Sequence, residues 1–453
     1  MTSAPPKQIK TKASRRPSKS AAVERVYSAA VQQKREAMLG QILRAATRRL
    51  NRVGLSNTTM EDTAGDLNLL PGALYHYVKD KQELAYLCLK RGCELRREQL
   101  ERADERGLDG LEKVRRYLRS VLRTGQSRMP VFHEINSLAE PYRSEVRELV
   151  HANNQRLRRF LAEGQQDGTV ADADLGLTTL AIISIVDWVS FWYSKDLGYT
   201  PEQASAEIDD IVTHGVYRRD LPPIEFPPVD LDMLGAPGPP APAEAKRHAI
   251  LRAALHAFNR HGFGGTSIEM IAADLGVTRQ TIYRQFRDKE ELLFHALQRA
   301  QSFNDARAQI PAGCHIVDEE VLLRRALFHG HATEAGPMRT YALLTSLSET
   351  HRKELMSNLE GVMSLDLGRI QVGLDQGFYR RVDLFIAERV RSGLYSWFPI
   401  WFDPKGPNTP IEIADNHTAL FLYGLKPRAH PERFSGAEAS KRSRRAPRAG
   451  SES

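Results

Sequence analysis

An internal repeat constrains the fold of this 453-residue chain more than any other feature of its sequence. The segment ILRAATRRLNRVG begins at Ile42, and ILRAALHAFNRHG begins 208 residues later at Ile250. Without a gap, 18 of the 44 positions that start at these two residues are identical. The copies continue at an offset of 209, because SLAEPYRSE at Ser137 matches SLSETHRKE at Ser346. Self-similarity over this length predicts two copies of one structural unit.

Hydrophobic periodicity predicts that both copies are all-α. Apolar residues recur at spacings of three and four, as in Leu251, Leu255 and Phe258, and no useful alternating strand pattern is found. Composition marks the segments outside the two copies. It predicts basic disordered arms at 1–34 and 428–453 and a semi-rigid, proline-rich linker at 219–243.

The net charge of +8 comes from the chain ends. Residues 1–20 carry +6 and residues 426–453 carry +5, so the remainder of the chain is at −3. The charge therefore supports a polyanionic partner only weakly. The arms are interpreted either as phosphate-seeking segments that add salt-sensitive affinity or as solubilising tails without a further role.

Several classes of protein lack support in the sequence. The cysteines, Cys88, Cys93 and Cys314, show neither zinc-ligand nor disulfide spacing, and they fit a reducing cytoplasm. His329, His331 and His351 have no acidic or cysteine companion at ligand spacing, so no metal is expected. No apolar run approaches the ~20 residues of a membrane helix, and no catalytic motif is present. We expect neither a cofactor, nor membrane insertion, nor an enzyme.

The second copy contains a short helix, a glycine turn and another short helix. Thr266, with Glu three residues later, predicts a capping box that starts the first of these helices. Gly276 ends that helix because the turn requires positive φ, and Thr278 caps the next one. Ile282 and Phe286 are predicted to point inward, which leaves polar residues exposed. This arrangement is the helix-turn-helix pattern.

The second helix of such a motif enters the major groove of DNA. Arg279 is predicted to read guanine, Gln280 to read adenine and Thr281 to contact a thymine methyl group. The remaining DNA-contacting residues predicted for this copy are Thr266, Ser267, Thr278, Tyr283, Arg284 and Lys289. The alternative is that Tyr283, and Tyr75 in the first copy, only pack. Lys289 and Lys81 would then be ordinary solvated lysines.

The first copy repeats the motif with a weaker reading helix. Thr58 begins the capping box, and Asn68 replaces the turn glycine, since asparagine tolerates the left-handed conformation. Pro71 suits the first helical position, whereas the small Gly72 and Ala73 offer few base-reading groups. The DNA-contacting residues predicted for this copy are Thr58, Thr59, Pro71, Gly72, Ala73, Tyr75, His76 and Lys81.

The segment GVTRQTIYRQFRDKEEL from Gly276 resembles the TetR/AcrR-family signature, and LNLLPGALYHYVKDKQEL from Leu67 is a looser match. The resemblance implies two fused TetR-like units, each with a three-helix DNA-binding domain and a helical ligand-binding and dimerisation domain. It also implies a bacterial, nucleoid-associated repressor that binds a double-stranded operator and an unknown small-molecule effector. The expected domains are DNA-binding domains at 35–88 and 244–296 and ligand-binding domains at 89–218 and 297–427.

Aromatic residues are concentrated late in each copy. Trp188, Trp192 and Tyr193 correspond to Trp397, Trp401 and Phe402. They are interpreted as the wall of an effector pocket, as a dimer-type interface or as plain core. Pro399 is expected to kink or break its helix. By resemblance, the helices at about 203–218 and 412–425 are the pairing surface.

Three hypotheses follow for function. The leading one is a ligand-responsive repressor whose two units form an intramolecular pseudo-dimer on an operator. A dimer of fused chains is the alternative assembly. The second hypothesis is a ligand-sensing or partner-binding protein with partly degenerate DNA binding, because the first reading helix is weak. The third, an enzyme, has no supporting constellation of residues.

Overall fold

The computed structural model describes residues 19–122, 132–228, 241–301, 314–333 and 336–428. The first part of the predicted N-terminal arm and nearly all of the predicted tail lie outside these ranges. Within them, regular structure is helical, and β pairing is limited to an isolated bridge between Tyr217 and Tyr379. The predicted all-α fold is confirmed.

The two repeats contain matching helices. In the first repeat these are α1 (Lys19–Val53), α2 (Met60–Gly65), α3 (Pro71–Leu74), α4 (Lys81–Ala103), α5 (Gly110–Ser120), α6 (Tyr142–Gln166), α7 (Leu175–Trp192) and α8 (Pro201–His214). In the second they are α9 (Pro242–Gly265), α10 (Ile268–Asp274), α11 (Arg279–Tyr283), α12 (Lys289–Gln301), α13 (Ile316–Ala332), α14 (Glu349–Asp375), α15 (Leu384–Ser396), α16 (Phe398–Trp401) and α17 (Pro410–Tyr423). The starts of α7 and α8 recur 209 residues later as the starts of α15 and α17.

Proline breaks one of these matches, as the sequence predicts. The span of α7 corresponds to two helices in the second repeat, because α15 ends at Ser396 and α16 carries Pro399 in its first turn. Proline lacks the backbone N–H that a continuous helix would need there.

Helix α1 begins earlier than the sequence analysis predicts. It starts at Lys19, so the interpretation of 1–34 as a disordered arm is wrong from that residue onward. The segment KSAAVERVYSAAVQQKREA contains neither proline nor glycine and is rich in strong helix formers, which explains the extension. Residues 30–37 are exposed, so this part of α1 projects beyond the packed body.

The predicted linker at 219–243 is only partly a linker. Its first residues are bound to the second repeat, where Arg325 Nη1 donates to the carbonyl oxygen of Pro227 at 2.5 Å. The Tyr423 hydroxyl also donates to the Ile224 carbonyl oxygen and accepts from the Ile224 N–H, both at 3.1 Å. These contacts hold residues 224–227 of the connecting segment against the second repeat.

The two repeats meet through α7 and α8 of the first and α15 and α17 of the second. The largest contact is between α7 and α15, where a Cβ on Gly393 would lie 2.9 Å from Cα of Ile185. The predicted pairing surface at 203–218 and 412–425 is therefore incomplete. The preceding helices contribute more because small residues let their backbones approach closely.

The contacts at the ends of α8 and α17 are reciprocal. The N–H of Val216 donates to the Phe421 carbonyl, and that of Leu425 donates to the Val212 carbonyl, both at 2.9 Å. The second bond joins the residues that lie 209 positions away from those of the first, and its donor is in the other repeat. The next pair, Tyr217 to Leu422 at 2.8 Å and Lys426 to Thr213 at 2.9 Å, does the same. An interface in which the same pair of positions makes contact twice, once in each direction, has twofold geometry.

One described helix, Leu175–Trp192, is long and apolar enough to cross a membrane by length and composition. However, 61% of this window is buried inside the protein, as in the core helix of a globular domain. The helix is α7, which forms the centre of the junction between the repeats.

Candidate nucleic-acid interface

In the second repeat, α10 and α11 form the predicted helix-turn-helix. Gly276 lies between them with φ of 62°, a left-handed conformation that glycine adopts without strain. The Thr278 side chain caps α11 by accepting from the Thr281 N–H at 3.3 Å. Ile282 and Phe286 are fully buried beneath α11. The reading helix is thus fixed from below and presents its polar face outward.

The outward face of α11 carries the residues predicted to read bases. Arg279, Gln280 and Arg284 are exposed, whereas Thr281 is half-buried next to Thr278. Arg279 lies 3.4 Å from the Glu269 carboxylate across an exposed pair. Such a pair contributes little to stability, so the guanidinium is free to exchange it for a base edge.

The helices that precede the reading helices begin one residue later than the capping boxes predict. The caps are Thr59, which accepts from Asp62 N–H, and Ser267, which accepts from Met270 N–H. Thr58 and Thr266 are 1% and 2% exposed, and their hydroxyls donate to the carbonyl oxygens of Gly54 and Gly262. The prediction that Thr58 and Thr266 are caps that face the DNA backbone is wrong, because their hydroxyls close the preceding turn.

The first repeat presents a different surface at the same position. Asn68 adopts φ of 54° at the turn, as expected for its role in place of glycine. Leu70 is 81% exposed, Tyr75 is 53% exposed and His76 is exposed, whereas Ala73 is half-buried. Pro71 and Gly72 are exposed and Pro71 is the first residue of α3. The exposed face of α3 therefore combines apolar groups with an imidazole and a phenol.

Acidic residues lie on α2 and at its C-terminal end, before α3 in the chain. Arg49 on α1 donates to Asp66 at 2.8 and 2.9 Å and lies 3.2 Å from Asp62, so its guanidinium is neutralised. The neighbouring guanidinium holds the pKa of Asp66 below its usual range. The charged form of Asp66 is thereby favoured at the end of α2.

The two lysines predicted to contact phosphate are engaged within the protein. Lys289 Nζ donates to the carbonyl oxygens of Phe263 and Thr266 at 2.8 and 3.0 Å and lies over the Phe263 ring. Burial lowers the pKa of Lys289. Lys81 makes a longer contact of 3.4 Å with the Ser56 carbonyl oxygen. Both stabilise the loop before the helix-turn-helix, and phosphate contact by either stays a prediction.

The loops that precede α2 and α10 contact the other repeat. Asn57 donates to the Thr345 carbonyl oxygen at 3.4 Å, and a Cβ on Gly265 would lie 3.2 Å from the Asn136 carbonyl oxygen. These contacts are pseudo-equivalent, since each joins one repeat's loop to the other repeat's 3₁₀ helix, Phe132–Ser137 or Tyr341–Ser346. The two helix-turn-helix units are therefore held in a defined relative position.

The aromatic residues of the first repeat lie at the junction rather than in an isolated core. The Trp188 ring centroid is 4.6 Å from that of Tyr341, and the Trp192 ring meets Phe385 edge-on at 5.8 Å. Tyr193 packs edge-on against Trp192 at 5.9 Å. The Trp188 and Trp192 rings contact the second repeat, and the roles of all three residues in pairing and in effector binding stay predictions.

Their counterparts in the second repeat divide into two groups. Trp397 faces Phe191 of the first repeat at 5.7 Å between centroids. Trp401 and Phe402 instead pack on Phe398 at 5.4 and 4.6 Å. The proline break after α15 explains the difference, because it turns the last two rings away from the junction. Among the described residues, no group of histidine, cysteine and acidic side chains has the arrangement of a metal site.

Comparisons with known families identify the chain. Residues 250–296 match the family model described as bacterial regulatory proteins, tetR family. Residues 108–216 and 322–425 match, as two segments, the model of the tetracyclin repressor-like C-terminal domain. The chain belongs to the TetR family. It is a DNA-binding transcriptional regulator, and the C-terminal match in both repeats agrees with two fused TetR-like units.

Several solved TetR-family structures are similar to parts of this regulator. AibR in complex with isovaleryl coenzyme A and operator DNA is 20% identical, with 38% of this chain and 96% of that chain covered at a TM-score of 0.34. PfmR from Thermus thermophilus is 26% identical, with 38% and 95% covered at 0.34. KstR2 of Mycobacterium tuberculosis is 20% identical, with 37% and 89% covered at 0.34. A search of curated proteins gives no match.

Proposed function

We propose that this TetR-family regulator is a ligand-responsive repressor in which the two fused units act as a single-chain pseudo-dimer on one operator. An ordinary dimer places two reading helices about 34 Å apart, one turn of DNA. Here one polypeptide supplies both helices, so no second molecule has to associate. Operator binding then depends on how the two repeats of one chain are placed. The regulator acts on chromosomal DNA in the bacterial nucleoid.

The reciprocal hydrogen bonds at the ends of α8 and α17 carry this proposal. They are formed by backbone groups 209 residues apart, and the same exchange recurs in the next pair of bonds. A connection through the docked segment near Pro227 keeps the repeats at high effective concentration. A twofold operator is bound by two units related by twofold symmetry, and two repeats joined in this way can supply both.

The two repeats have different tasks under this proposal. The second repeat reads bases through Arg279 and Gln280 at the exposed face of α11. The first repeat lacks such donors on α3, and the Arg49 guanidinium on α1 is paired with Asp62 and Asp66. Its contribution is to anchor the backbone of the second half-site. An effector acts by changing how the C-terminal domains of the two repeats pack, which alters the spacing of the reading helices.

The weak α3 also favours a second candidate, a ligand-sensing or partner-binding protein with partly lost DNA binding. Selection of bound fragments from random duplex DNA separates the two. The single-chain repressor is expected to recover one sharply defined half-site and, about one helical turn away, a degenerate one. Two equally sharp, palindromic half-sites would indicate two second repeats from different chains. Recovery of no enriched motif would favour the second candidate.

A further inference from the structure

The second repeat buries a network of charged side chains between α13, α14 and α15. Glu320 accepts from Arg324 Nε at 2.9 Å and from Arg391 Nη1 at 2.7 Å. Arg391 Nη2 also lies 2.7 Å from a carboxylate oxygen of Asp366. The side chains of these four residues are 5% exposed or less. The network therefore lies in the interior of the C-terminal domain.

Several guanidinium nitrogens of this network, and the Glu388 Oε2 acceptor beside it, are buried without a hydrogen bond to the described residues. Arg324 Nη1 and Nη2 and Arg391 Nε are buried and have no hydrogen-bond partner among the described residues. Arg339 Nη1 is in the same situation. A buried donor without an acceptor is costly to a protein. The two Arg324 donors indicate an acceptor that the described residues do not provide.

The fold does not require these charges. In the first repeat, the positions 209 residues before Asp366 and Arg391 are Leu157 and Ile182, and both are buried in an apolar core. The position equivalent to Tyr395 is likewise Val186. Because an apolar core at these positions is often more stable than buried ions, stability alone does not account for the network. The charged and polar residues at these positions indicate a function that only the second repeat performs.

The ion-paired groups around the unpaired donors are equal in number. The carboxylates are those of Glu319, Glu320, Asp366 and Glu388, and the guanidinium groups are those of Arg324, Arg369, Arg389 and Arg391. Burial raises the pKa of Glu388, which favours its neutral form. The Arg324 guanidinium lies over the Tyr395 ring, 4.7 Å from its centroid, so its plane is fixed. A planar anion matches a guanidinium held in this way.

We propose that the second repeat alone binds the effector, and that the effector is a small organic carboxylic acid whose carboxylate accepts from Nη1 and Nη2 of Arg324. The Tyr395 and Tyr341 rings lie beside the carboxylate and contact the organic part of the molecule. This inference rests on the proposed ligand-responsive function and names the chemical class of the ligand. The first repeat contributes to the junction and to DNA anchoring, and it does not bind this acid.

Benzoate is the probe, because it combines a carboxylate with a planar ring. Thermal unfolding of the full chain is measured over increasing benzoate at constant ionic strength, with benzamide as the neutral isostere and inorganic phosphate as a second anion. We expect a saturable rise in Tm with benzoate and none with benzamide. Arg324→Met should weaken the apparent affinity by about tenfold or more, as expected for a lost charged hydrogen-bond pair. Arg324→Lys keeps a charge and should bind with intermediate affinity.

Arg115→Met is the control, because Arg115 lies on α5 of the first repeat and is paired with Glu112 and Asp209. Its benzoate response should equal that of the unmodified protein. Equal shifts with benzoate and benzamide, no benzoate shift, or equal losses in the Arg324 and Arg115 variants would each overturn the proposal. If phosphate alone gives the shift, the site binds compact anions and the carboxylic-acid class is wrong. Operator affinity without benzoate is measured in parallel, so a failed ligand site is distinguished from a failed repressor assignment.

Discussion

Replacing Arg279 and Gln280 together with alanine is expected to weaken specific operator binding by about 100-fold or more, since each paired hydrogen-bond contact with a base contributes roughly 1–3 kcal/mol. Both side chains are exposed on α11. The residues that pack beneath α11, Ile282 and Phe286, are unchanged in this variant. The helix should therefore fold normally. Fluorescence anisotropy with the selected operator and with a scrambled duplex measures the loss of specificity.

The matched control changes the corresponding position in the first repeat. Gly72 lies 208 residues before Gln280, and a Cβ there would meet no atom within 4 Å. Gly72→Ala is expected to leave operator affinity within about twofold, because it adds no contact and removes no base reader. Unchanged specific binding by the Arg279/Gln280 variant would show that α11 is not the reading helix. A large loss from Gly72→Ala would show that α3 reads bases.

The second large effect is expected at the junction of the repeats. Gly424 has φ of 71° and ψ of −174°, a region that is essentially restricted to glycine. A Cβ there would lie 2.5 Å from the Gly215 nitrogen and 2.5 Å from the Thr213 carbonyl oxygen. Gly424→Ala therefore combines backbone strain with a clash against backbone that cannot rotate away. We expect a loss of about 4 kcal/mol in unfolding free energy.

Gly262→Ala separates the two causes. Gly262 has a similar conformation, with φ of 70° and ψ of 168°, but its nearest neighbour is the Ser137 hydroxyl, which can rotate. Urea unfolding should show a smaller loss, about 2 kcal/mol, for this variant. Only Gly424→Ala should also increase the hydrodynamic radius in size-exclusion chromatography, because it opens the junction. Equal losses and equal radii in both variants would mean that the close approach at Gly424 does not hold the repeats together.

Much of the fold follows from the sequence because its signals are local. The offset of 208 to 209 residues predicts the duplication, and spacings of three and four predict the helices. Gly276 and Asn68 mark turns that need a left-handed backbone, and Thr278 caps the reading helix as predicted. Each of these turn and helix signals depends on residues only a few positions apart.

The errors arise where one local signal competes with another. Two consecutive hydroxyl residues precede α10, and the sequence alone does not tell that Thr266 bonds back to the Gly262 carbonyl while Ser267 caps the helix. The prolines at 222–228 predict an extended segment, but not that it binds Tyr423 and Arg325. These outcomes of the linker depend on tertiary neighbours that are about 100 to 200 residues away in the chain.

The charged network of the second repeat was missed for a different reason. Glu320, Arg324 and Arg391 look like ordinary surface charges when a single helix is considered. Comparison of the two repeats contains the missing signal, since Asp366 aligns with Leu157 and Arg391 with Ile182. A charged residue that aligns with a core residue of the other copy indicates a buried charge with a functional role. The repeat is thus informative about function as well as about fold.

The stoichiometry of the operator complex tests the central claim most directly. Native mass spectrometry of the full chain with the selected duplex is expected to show one 51.0 kDa chain per operator, from limiting to excess protein. Both reading helices come from that chain, and its junction through Gly215 and Gly424 sets their spacing. A complex with two chains per duplex as its smallest specific species would contradict the single-chain pseudo-dimer.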